Sequence, residues 1–429
     1  MSPYAYVTVL SNWLAGYDRY RRVYSKAGLP ASTYPSEFYL LRDDYTIGLE
    51  KARALRAKVG VEGDRIIRVD ADLEERLISP NTRNGRGYVA PVNAIPVASV
   101  ALWDDAAEAW TPTSVEETTA AAFGLRGTGL VDWADARPLT LSFLPVAHAC
   151  EASCLFCFSE SSISVEKRSR AKDRGAVTAW CERAKAAGAE RFVLTGGGEP
   201  TLRPFDEICE LISIGRAHFD KTVLITNGAS LARDPGQIAA RLRDLRTAGL
   251  SVLSLSHHHH DPTVNARVMG LAIDHDAVLT AWASLAEEER PQLRLVCVLQ
   301  RGGVDSHHGI AAFLAHAAAY GVTQVCFKEL YVAATAESLY AKSAENAYSK
   351  SHQVPLGAVL SYAEERAAPQ VAALPWGAPI FQLGDVQVAA YTEPSVGWER
   401  SHGVVRSWNL MSDLRCYASL EDPASEVTL

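Results

Sequence analysis

The residues best suited to chemistry in this chain are three closely spaced cysteines. Cys150, Cys154 and Cys157 lie in the stretch HACEASCLFCFSE. Thiolate sulfur is a soft ligand that suits iron–sulfur clusters, and full ligation of a four-iron cube uses four cysteines. Three cysteines at this spacing therefore predict a cluster with one open iron, at which a reactant can bind.

A structural zinc site is the alternative interpretation of the same cysteines. Cys154 and Cys157 form a CxxC pair, and His148 offers a further ligand. Structural zinc usually takes four Cys or His ligands, but no second CxxC or HxxxH pair follows in this sequence. The other cysteines are scattered singly, at Cys181, Cys209, Cys297, Cys326 and Cys416. The iron–sulfur interpretation is therefore favoured.

A glycine-rich segment lies downstream of the cysteines. Gly196, Gly197 and Gly198 follow the apolar run 192–194 and precede Glu199-Pro200. Consecutive glycines allow a sharp turn in which the backbone approaches a ligand closely. An ordinary strand-to-helix turn would explain these glycines if they stood alone. Beside the cysteines, a ligand-binding turn is favoured.

The two motifs together resemble the signature of the radical S-adenosylmethionine (radical SAM) superfamily. The superfamily has a CxxxCxxC motif with an aromatic residue before the third cysteine, here Phe156, and a GGEP motif ending the second barrel strand, here Gly197–Pro200. The resemblance implies one [4Fe–4S] cluster on the three cysteines, with S-adenosylmethionine (SAM) chelating the open iron. It also implies that the backbone of Gly196–Pro200 binds the SAM amino group, that Phe156 lies near the adenine, and that Glu199 is an orienting carboxylate.

The resemblance also implies an activity. A flavodoxin or ferredoxin would supply one electron, SAM would be cleaved to a 5′-deoxyadenosyl radical, and the radical would abstract hydrogen from substrate. The favoured substrate is a small polar metabolite, such as an amino acid, a sugar or a nucleoside. Modification of a peptide or protein is one alternative, and a non-catalytic iron–sulfur sensor or scaffold is another. The tail carries only Cys416, so a single cluster is expected.

The elements that must position these motifs follow a strand-then-helix rhythm. Short aliphatic runs predict strands at Leu139–Leu144, Arg191–Thr195, Thr222–Thr226, Ser251–Ser256, Leu293–Gln300 and Gln324–Lys328. Alanine-rich segments predict helices near 171–188, 204–217, 236–248, 274–288 and 308–320. Such βα alternation predicts an α/β fold with a parallel sheet. The resemblance implies a partial (β/α)6 TIM-like barrel, with an N-terminal extension and a small C-terminal α+β cap.

Barrel sites are built at the carboxyl ends of the strands, and the motifs follow that rule. The cysteine loop follows the first predicted strand, the glycine turn ends the second, and Asn227 ends the third. Ser256 to His260 end the fourth, and Ser254 lies two residues before Ser256. We therefore expect Asn227, Ser254 and Ser256 to contribute to the cofactor site.

Five residues are candidates for chemistry on the substrate. His257 and His258 belong to a run of four histidines after the fourth strand, and they could bind substrate or carry protons near neutral pH. A solvated polar loop is the alternative. Lys328 and Glu329 end the sixth strand, where a structural salt bridge is equally plausible. Cys416 is a candidate hydrogen-atom donor, with a buried small hydrophobe as the alternative.

Length, composition and charge limit the remaining possibilities. The 429 residues are 48% hydrophobic, which allows a large core and more than one domain. We predict an extension of unassigned fold at 1–138, the barrel at 139–332 and a cap at 333–429. The net charge of −8 argues against nucleic acid as a partner. The sequence shows neither a charged leader with an apolar segment nor a long apolar span, so no membrane partner and a cytoplasmic location are expected.

Overall fold

The computed structural model describes residues 131–160, 173–332, 339–394, 399–400 and 402–429, with the segments 4–9, 40–42, 65–70, 95–97, 99–113 and 125–127. The chain divides into two compact units. The first unit contains 1–131, 363–380 and 394–402, and the second contains 132–362, 381–393 and 403–429.

The first unit contains an antiparallel sheet. Its described strands before residue 131 are β1 (Tyr4–Val9), β2 (Leu40–Arg42), β3 (Arg65–Asp70), β4 (Ile95–Val97), β5 (Ser99–Asp104), β6 (Ala109–Thr113) and β7 (Leu125–Gly127). Five of them form a sheet in the order β2-β1-β3-β5-β6, with each neighbouring pair antiparallel. The short strands β4 and β7 pair in parallel.

The second unit is built on a long, mainly parallel sheet. The described strands of the unit begin with β8 (Arg137–Pro138), which pairs separately with β18 (Val404–Val405), and continue with β9 (Thr140–Phe143), β10 (Arg191–Leu194), β11 (Lys221–Thr226), β12 (Val252–Ser256), β13 (Gln292–Leu299) and β14 (Gln324–Glu329). After them come β15 (Gln370–Ala373, in the first unit), β16 (Pro379–Leu383), β17 (Val386–Tyr391), β18 (Val404–Val405), β19 (Trp408–Leu410), β20 (Cys416–Tyr417) and β21 (Glu426–Val427).

The order of strands in this sheet places the barrel strands side by side. From β17 the order is β17-β14-β13-β12-β11-β10-β9-β19-β20-β21. Strands β9 to β14 are all parallel, β17 is parallel to β14, and β19 is parallel to β9. The sheet is not closed. The predicted α/β class and the partial barrel of six parallel strands are therefore confirmed.

The helices alternate with the strands. They are α1 (Arg174–Ala186), α2 (Phe205–His218), α3 (Ala229–Ala232), α4 (Ile238–Thr247), α5 (Pro262–Met269), α6 (His275–Ala283), α7 (His307–Ala319), α8 (Ala344–His352) and α9 (Gly357–Glu365). The five predicted barrel helices correspond to α1, α2, α4, α6 and α7. Helices α3 and α5 were not predicted. Within the described residues, none of the helices combines the length and the apolarity needed to span a bilayer.

The two faces of the parallel sheet pack differently. One face contacts the helices: the Phe327 ring lies 5.6 Å from the Phe313 ring of α7, and a Cβ on Gly215 of α2 would lie 2.3 Å from the Phe192 ring. Because side chains alternate along a strand, the residues between these point to the opposite face. That face, the inner face of the barrel, carries an apolar cluster of Val193, Val223 and Val252 in its middle.

Candidate active site

The cysteine loop follows β9, at the carboxyl edge of the parallel strands. Cys150 is exposed, whereas Cys154 and Cys157 are half-buried. The backbone turns inside the CxxC pair, where Cys157 N donates to Cys154 O at 3.0 Å. Partial burial of its thiol, with smaller contributions from Glu199 and Cys157, raises the pKa of Cys150 to about 11. A metal would oppose this shift, because coordination deprotonates a thiol outright.

The end of α5 holds the middle of the cysteine loop. Met269 O accepts from Ser153 N at 3.0 Å and from Cys154 Sγ at 3.6 Å. Gly270 follows with a left-handed φ of +64°, and a Cβ there would lie 2.2 Å from Ser153 Oγ. A residue with a side chain at this position would displace the loop, so Gly270 meets both a conformational and a steric requirement.

The glycine turn after β10 packs directly on the first part of the cysteine loop. Gly198 N donates to Val146 O at 3.0 Å, and Glu199 N donates to Ala149 O at 2.8 Å. A Cβ on Gly198 would lie 2.0 Å from Ala149 O, the carbonyl just before Cys150. The two motifs that are separate in sequence are therefore joined by backbone contacts.

Glu199 connects the glycine turn to the end of β11. Its buried carboxylate accepts from Thr201 N (3.0 Å), Thr201 Oγ1 (2.6 Å), Thr226 Oγ1 (2.6 Å) and Asn227 N (2.8 Å). Burial raises the pKa of Glu199, although all of these hydrogen bonds act in the opposite direction. Pro200 begins the short helical turn that follows, and it is buried. These contacts hold the glycine turn against the end of β11.

Asn227 ends β11 and contacts the first cysteine. Its Nδ2 lies 3.7 Å from Cys150 Sγ, and its Oδ1 accepts from Ala229 N at 2.8 Å. Gly228, with φ of +84°, follows and precedes α3. The amide of Asn227 is thus held in one orientation, with its NH2 group towards the cysteine.

A chain of hydrogen bonds extends from Asn227 to the histidine run. His275 Nε2 lies 2.8 Å from Asn227 O, and a carbonyl can only accept, so this nitrogen carries the proton. His275 Nδ1 then accepts from Asn265 Nδ2 at 3.1 Å. Asn265 Oδ1 accepts from the backbone N–H groups of His258 (2.8 Å) and His259 (3.2 Å). We call this chain of hydrogen bonds from Asn227 through His275 and Asn265 the relay. Each of its groups has a fixed role as donor or acceptor, and both Asn265 and His275 are buried.

Two of the four histidines in the run are buried. The ring of His258 is 4% exposed, its Nδ1 accepts from Val298 N at 3.1 Å, and it lies edge-on to Phe156 with centroids 5.2 Å apart. Burial lowers the pKa of His258 to about 3. The neutral ring therefore carries its proton on Nε2.

His257 points to the helix-facing side, among other rings. It is 3% exposed, and its ring lies 4.6 Å from that of His275 and 5.1 Å from that of His316. Neither ring nitrogen of His257 has a hydrogen-bond partner among the described residues. Burial, followed by these two histidines, lowers the pKa of His257 to about 2. His257 and His258 thus occupy different environments.

The end of β14 carries a charged network on the inner face. Lys328 Nζ lies 2.5 Å from Glu393 Oε1, and Arg406 Nε lies 2.8 Å from Glu393 Oε2. Tyr391 donates its hydroxyl to Glu393 at 2.8 Å. The two cations hold the pKa of Glu393 at about 2, against the effect of burial. Glu329, the next residue of β14, alternates to the helix-facing side.

The remaining predicted residues lie apart from these contacts. Ser254 is 2% exposed on β12, and Ser256 at the end of that strand is half-buried. Cys416 is fully buried on β20 opposite Leu410, and burial raises its pKa. Tyr417, beside it, packs against Leu144.

Several residues that hold the site together were missed by the sequence prediction. They are Thr201, Thr226, Asn265, Met269, Gly270 and His275. Part of the signal was present, because Asp261-Pro262 and Gly270 are a start and a stop signal for the unpredicted helix α5. The remaining contacts are long-range pairings between polar residues with no sequence pattern of their own.

The three cysteine thiols fit a cluster better than they fit a single metal ion. Among the described residues, no three His, Cys, Asp or Glu side chains are placed to hold a single metal ion. A four-iron cube binds each thiolate at a different iron, so its ligands need not converge on one point. The three soft thiols lie on one loop, beside a glycine turn in which a Cβ on Gly198 would meet the loop backbone. They therefore fit such a cluster.

Comparison with known families identifies this part of the chain. The family model for the radical SAM superfamily matches residues 144–311, which include both motifs. These residues form a radical SAM domain. Members of this superfamily use a [4Fe–4S] cluster and SAM, and these are the cofactors of the domain. No curated protein sequence matches the chain.

Solved structures give weaker similarities to the chain that contains this radical SAM domain. SuiB of Streptococcus suis, crystallised with SAM, is 19% identical over 54% of this chain and 46% of that chain, with a TM-score of 0.37. HemN from Escherichia coli, a coproporphyrinogen III oxidase, is 14% identical over 54% and 52%, with a TM-score of 0.36. HydG, a maturase of the [FeFe]-hydrogenase, is 16% identical over 56% and 54%, with a TM-score of 0.39. The chain thus spans about half the length of these proteins.

Proposed function

We propose that this protein is a radical SAM enzyme that acts on a small polar metabolite. In this proposal Cys150, Cys154 and Cys157 hold a single [4Fe–4S] cluster. When bound, the cluster and SAM supply a 5′-deoxyadenosyl radical, with the electron coming from a flavodoxin or ferredoxin-type donor. The observation that carries the proposal is the hydrogen bonding of the cysteine loop to the glycine turn, to Asn227 and to the end of α5.

The chain's own residues would bind and orient the cofactor. The backbone of Gly196–Pro200 would receive the SAM amino group, and Phe156 would lie beside the adenine. Glu199 already accepts four hydrogen bonds, so its proposed role is to hold the turn on β11. Asn227, Ser254 and Ser256 would complete the cofactor side of the inner face.

Substrate would bind further along the inner face. Lys328 and Arg406 face one carboxylate, Glu393, so this group has a net positive charge and several hydrogen-bonding atoms. Such a group suits a small polar molecule. His258 would offer its Nε2–H to substrate or ribose. Cys416 remains the proposed hydrogen-atom donor, and unchanged product from Cys416→Ala would contradict that role.

The test is anaerobic reconstitution with iron and sulfide, followed by dithionite and SAM. The triple variant Cys150→Ala/Cys154→Ala/Cys157→Ala is the key comparison, and Cys209→Ala is the matched control for losing a thiol elsewhere. We expect iron binding and 5′-deoxyadenosine from the native protein and the control, and neither from the triple variant. A fully loaded native cluster that never yields 5′-deoxyadenosine, with or without candidate metabolites, would favour the sensor or scaffold interpretation. If 5′-deoxyadenosine does form, transfer of deuterium into it from labelled candidate metabolites would identify the substrate.

A further inference from the structure

Three cations of the barrel strands, Arg191, Lys221 and Arg294, point to the inner face. Arg191 is the first residue of β10, and it is in register with Lys221, the first residue of β11. In-register residues of neighbouring parallel strands point to the same face. Arg294 of β13 is in register with Ser254 of β12, and Ser254 is in register with Ile225 of β11. Ile225 stands two positions after Val223 and therefore points to the same face. All three cations therefore point into the barrel.

An apolar cluster separates two of the three cations, Arg191 and Lys221, from the candidate active site. Val193 and Val223 stand two residues further along β10 and β11, and they pack with Val252 and Ile225 into an apolar cluster. The glycine turn and Asn227 begin beyond this cluster, at the carboxyl ends of the same strands. Arg191 and Lys221 thus lie on the other side of this cluster from the candidate active site, whereas Arg294 lies level with the cluster, in register with Ser254.

Among the described residues, little negative charge compensates these three cations. The nearest carboxylate to Arg191 is that of Glu190, 3.9 Å away, with a side chain that is 64% exposed and equally distant from Arg137. Arg191 Nε is buried and has no hydrogen-bond partner among the described residues. Arg294 has one neutral acceptor, Gln324 Oε1, at 3.4 Å.

Burial and the neighbouring positive charges lower the pKa values of Lys221 and Arg294. Burial lowers the pKa of Lys221, and the charges of Arg294 and Arg191 lower it further. Burial likewise lowers the pKa of Arg294; Cys326 and Tyr391 act in the other direction, and the charge of Arg191 lowers it further. Neighbouring like charges in a partly desolvated place disfavour one another, and an anion among them would relieve the repulsion.

We propose that Arg191, Lys221 and Arg294 form a binding site for a phosphoryl group on the inner face of the barrel. Guanidinium groups bind phosphate oxygens in pairs, and a lysine ammonium adds a compact charge. A dianion offsets three cations more completely than one carboxylate does. Phosphate binding does not require cleavage of SAM, so this proposal stands or falls independently of the radical chemistry.

The test is calorimetric titration of the full chain with inorganic phosphate at constant ionic strength. We expect saturable binding to the native protein and to Lys350→Met, which removes an exposed lysine of α8. Lys221→Met should weaken phosphate binding at least tenfold, and Lys221→Arg should retain it. A phosphate monoester, phenyl phosphate, is the second probe: tighter binding than phosphate would indicate that the group belongs to a larger ligand, and weaker binding would indicate free phosphate.

Two results would overturn the proposal. One is the absence of saturable phosphate binding to the native chain. The other is equal phosphate affinity of the native protein and Lys221→Met, because the anion would then bind elsewhere. The native titration does not depend on the variants, so a variant that fails to fold leaves the first criterion in force.

Discussion

Replacing His275 with alanine should loosen the cysteine site from a distance. His275 is buried, donates to Asn227 O at 2.8 Å and accepts from Asn265 Nδ2 at 3.1 Å. Asn227 in turn directs its amide to Cys150. The change therefore removes the central link of the relay without touching a proposed cluster ligand.

The magnitude follows from the two groups left without partners. The Asn227 carbonyl and the Asn265 amide would both remain in a buried region, and each unsatisfied buried group costs about 1–3 kcal/mol. We therefore expect His275→Ala to lower the free energy of unfolding by about 2–5 kcal/mol, including any relaxation. The matched control is His308→Ala, which removes an exposed histidine of α7 and should change stability by less than about 0.5 kcal/mol.

Two measurements check the prediction. Urea unfolding of the cluster-free protein reports the stability loss. Redox titration of the reconstituted protein reports the cluster environment, because hydrogen bonds to the sulfurs help to set the potential of an iron–sulfur cluster. In His275→Ala the Asn227 amide should be held less firmly beside Cys150, so the reduction potential should fall. In His308→Ala the potential should be unchanged. Equal stability and equal potential in the two variants would refute the relay.

Three further predictions concern sterics and pH. Gly198→Ala should lower iron loading and cost about 1–3 kcal/mol, since its Cβ would lie 2.0 Å from Ala149 O, whereas Gly357→Ala, with open space around it, should keep full loading. Glu393 has its pKa lowered from 4.5 to about 2, so its stabilisation of about 3 kcal/mol is present above pH 4.5 and is lost as the pH falls towards 2. Glu393→Gln should show a flatter fall of the urea midpoint in that window. His258 has its pKa lowered from 6.5 to about 3, so the unfolded chain binds its proton first and stability falls as the pH drops from 6.5 towards 3. His258→Asn should reduce that fall, and an unchanged acid profile would contradict the buried neutral ring.

The barrel strands were predictable because their sequence signal is local. Buried parallel strands read as short aliphatic runs, and residues such as 192–194 and 252–255 are buried almost throughout. The candidate cofactor motifs were equally local, because thiol spacing and consecutive glycines need no tertiary information. Both signals can therefore be recognised in a single sequence.

The contacts around these motifs were less predictable, because they join distant segments. Lys328 pairs with Glu393 rather than with its neighbour Glu329, since adjacent strand residues point to opposite faces. The strands β17 and β19 extend the barrel sheet at its two sides from the C-terminal region, which sequence reasoning had treated as a cap. Short strands such as β19, with three residues, carry too little periodicity to be assigned without their partners.

The cysteine loop takes its shape from several consecutive βα units, and this has a consequence for stability. The loop itself follows β9, the glycine turn that packs on it follows β10, and Asn227 ends β11. Helix α5, whose last carbonyl holds Ser153 and Cys154, follows β12. A loop has no core of its own, so the order of this one depends on these four units being packed together. Changes that loosen any one of them should therefore lower iron loading before they unfold the domain, even where they lie far from the cysteines in the sequence.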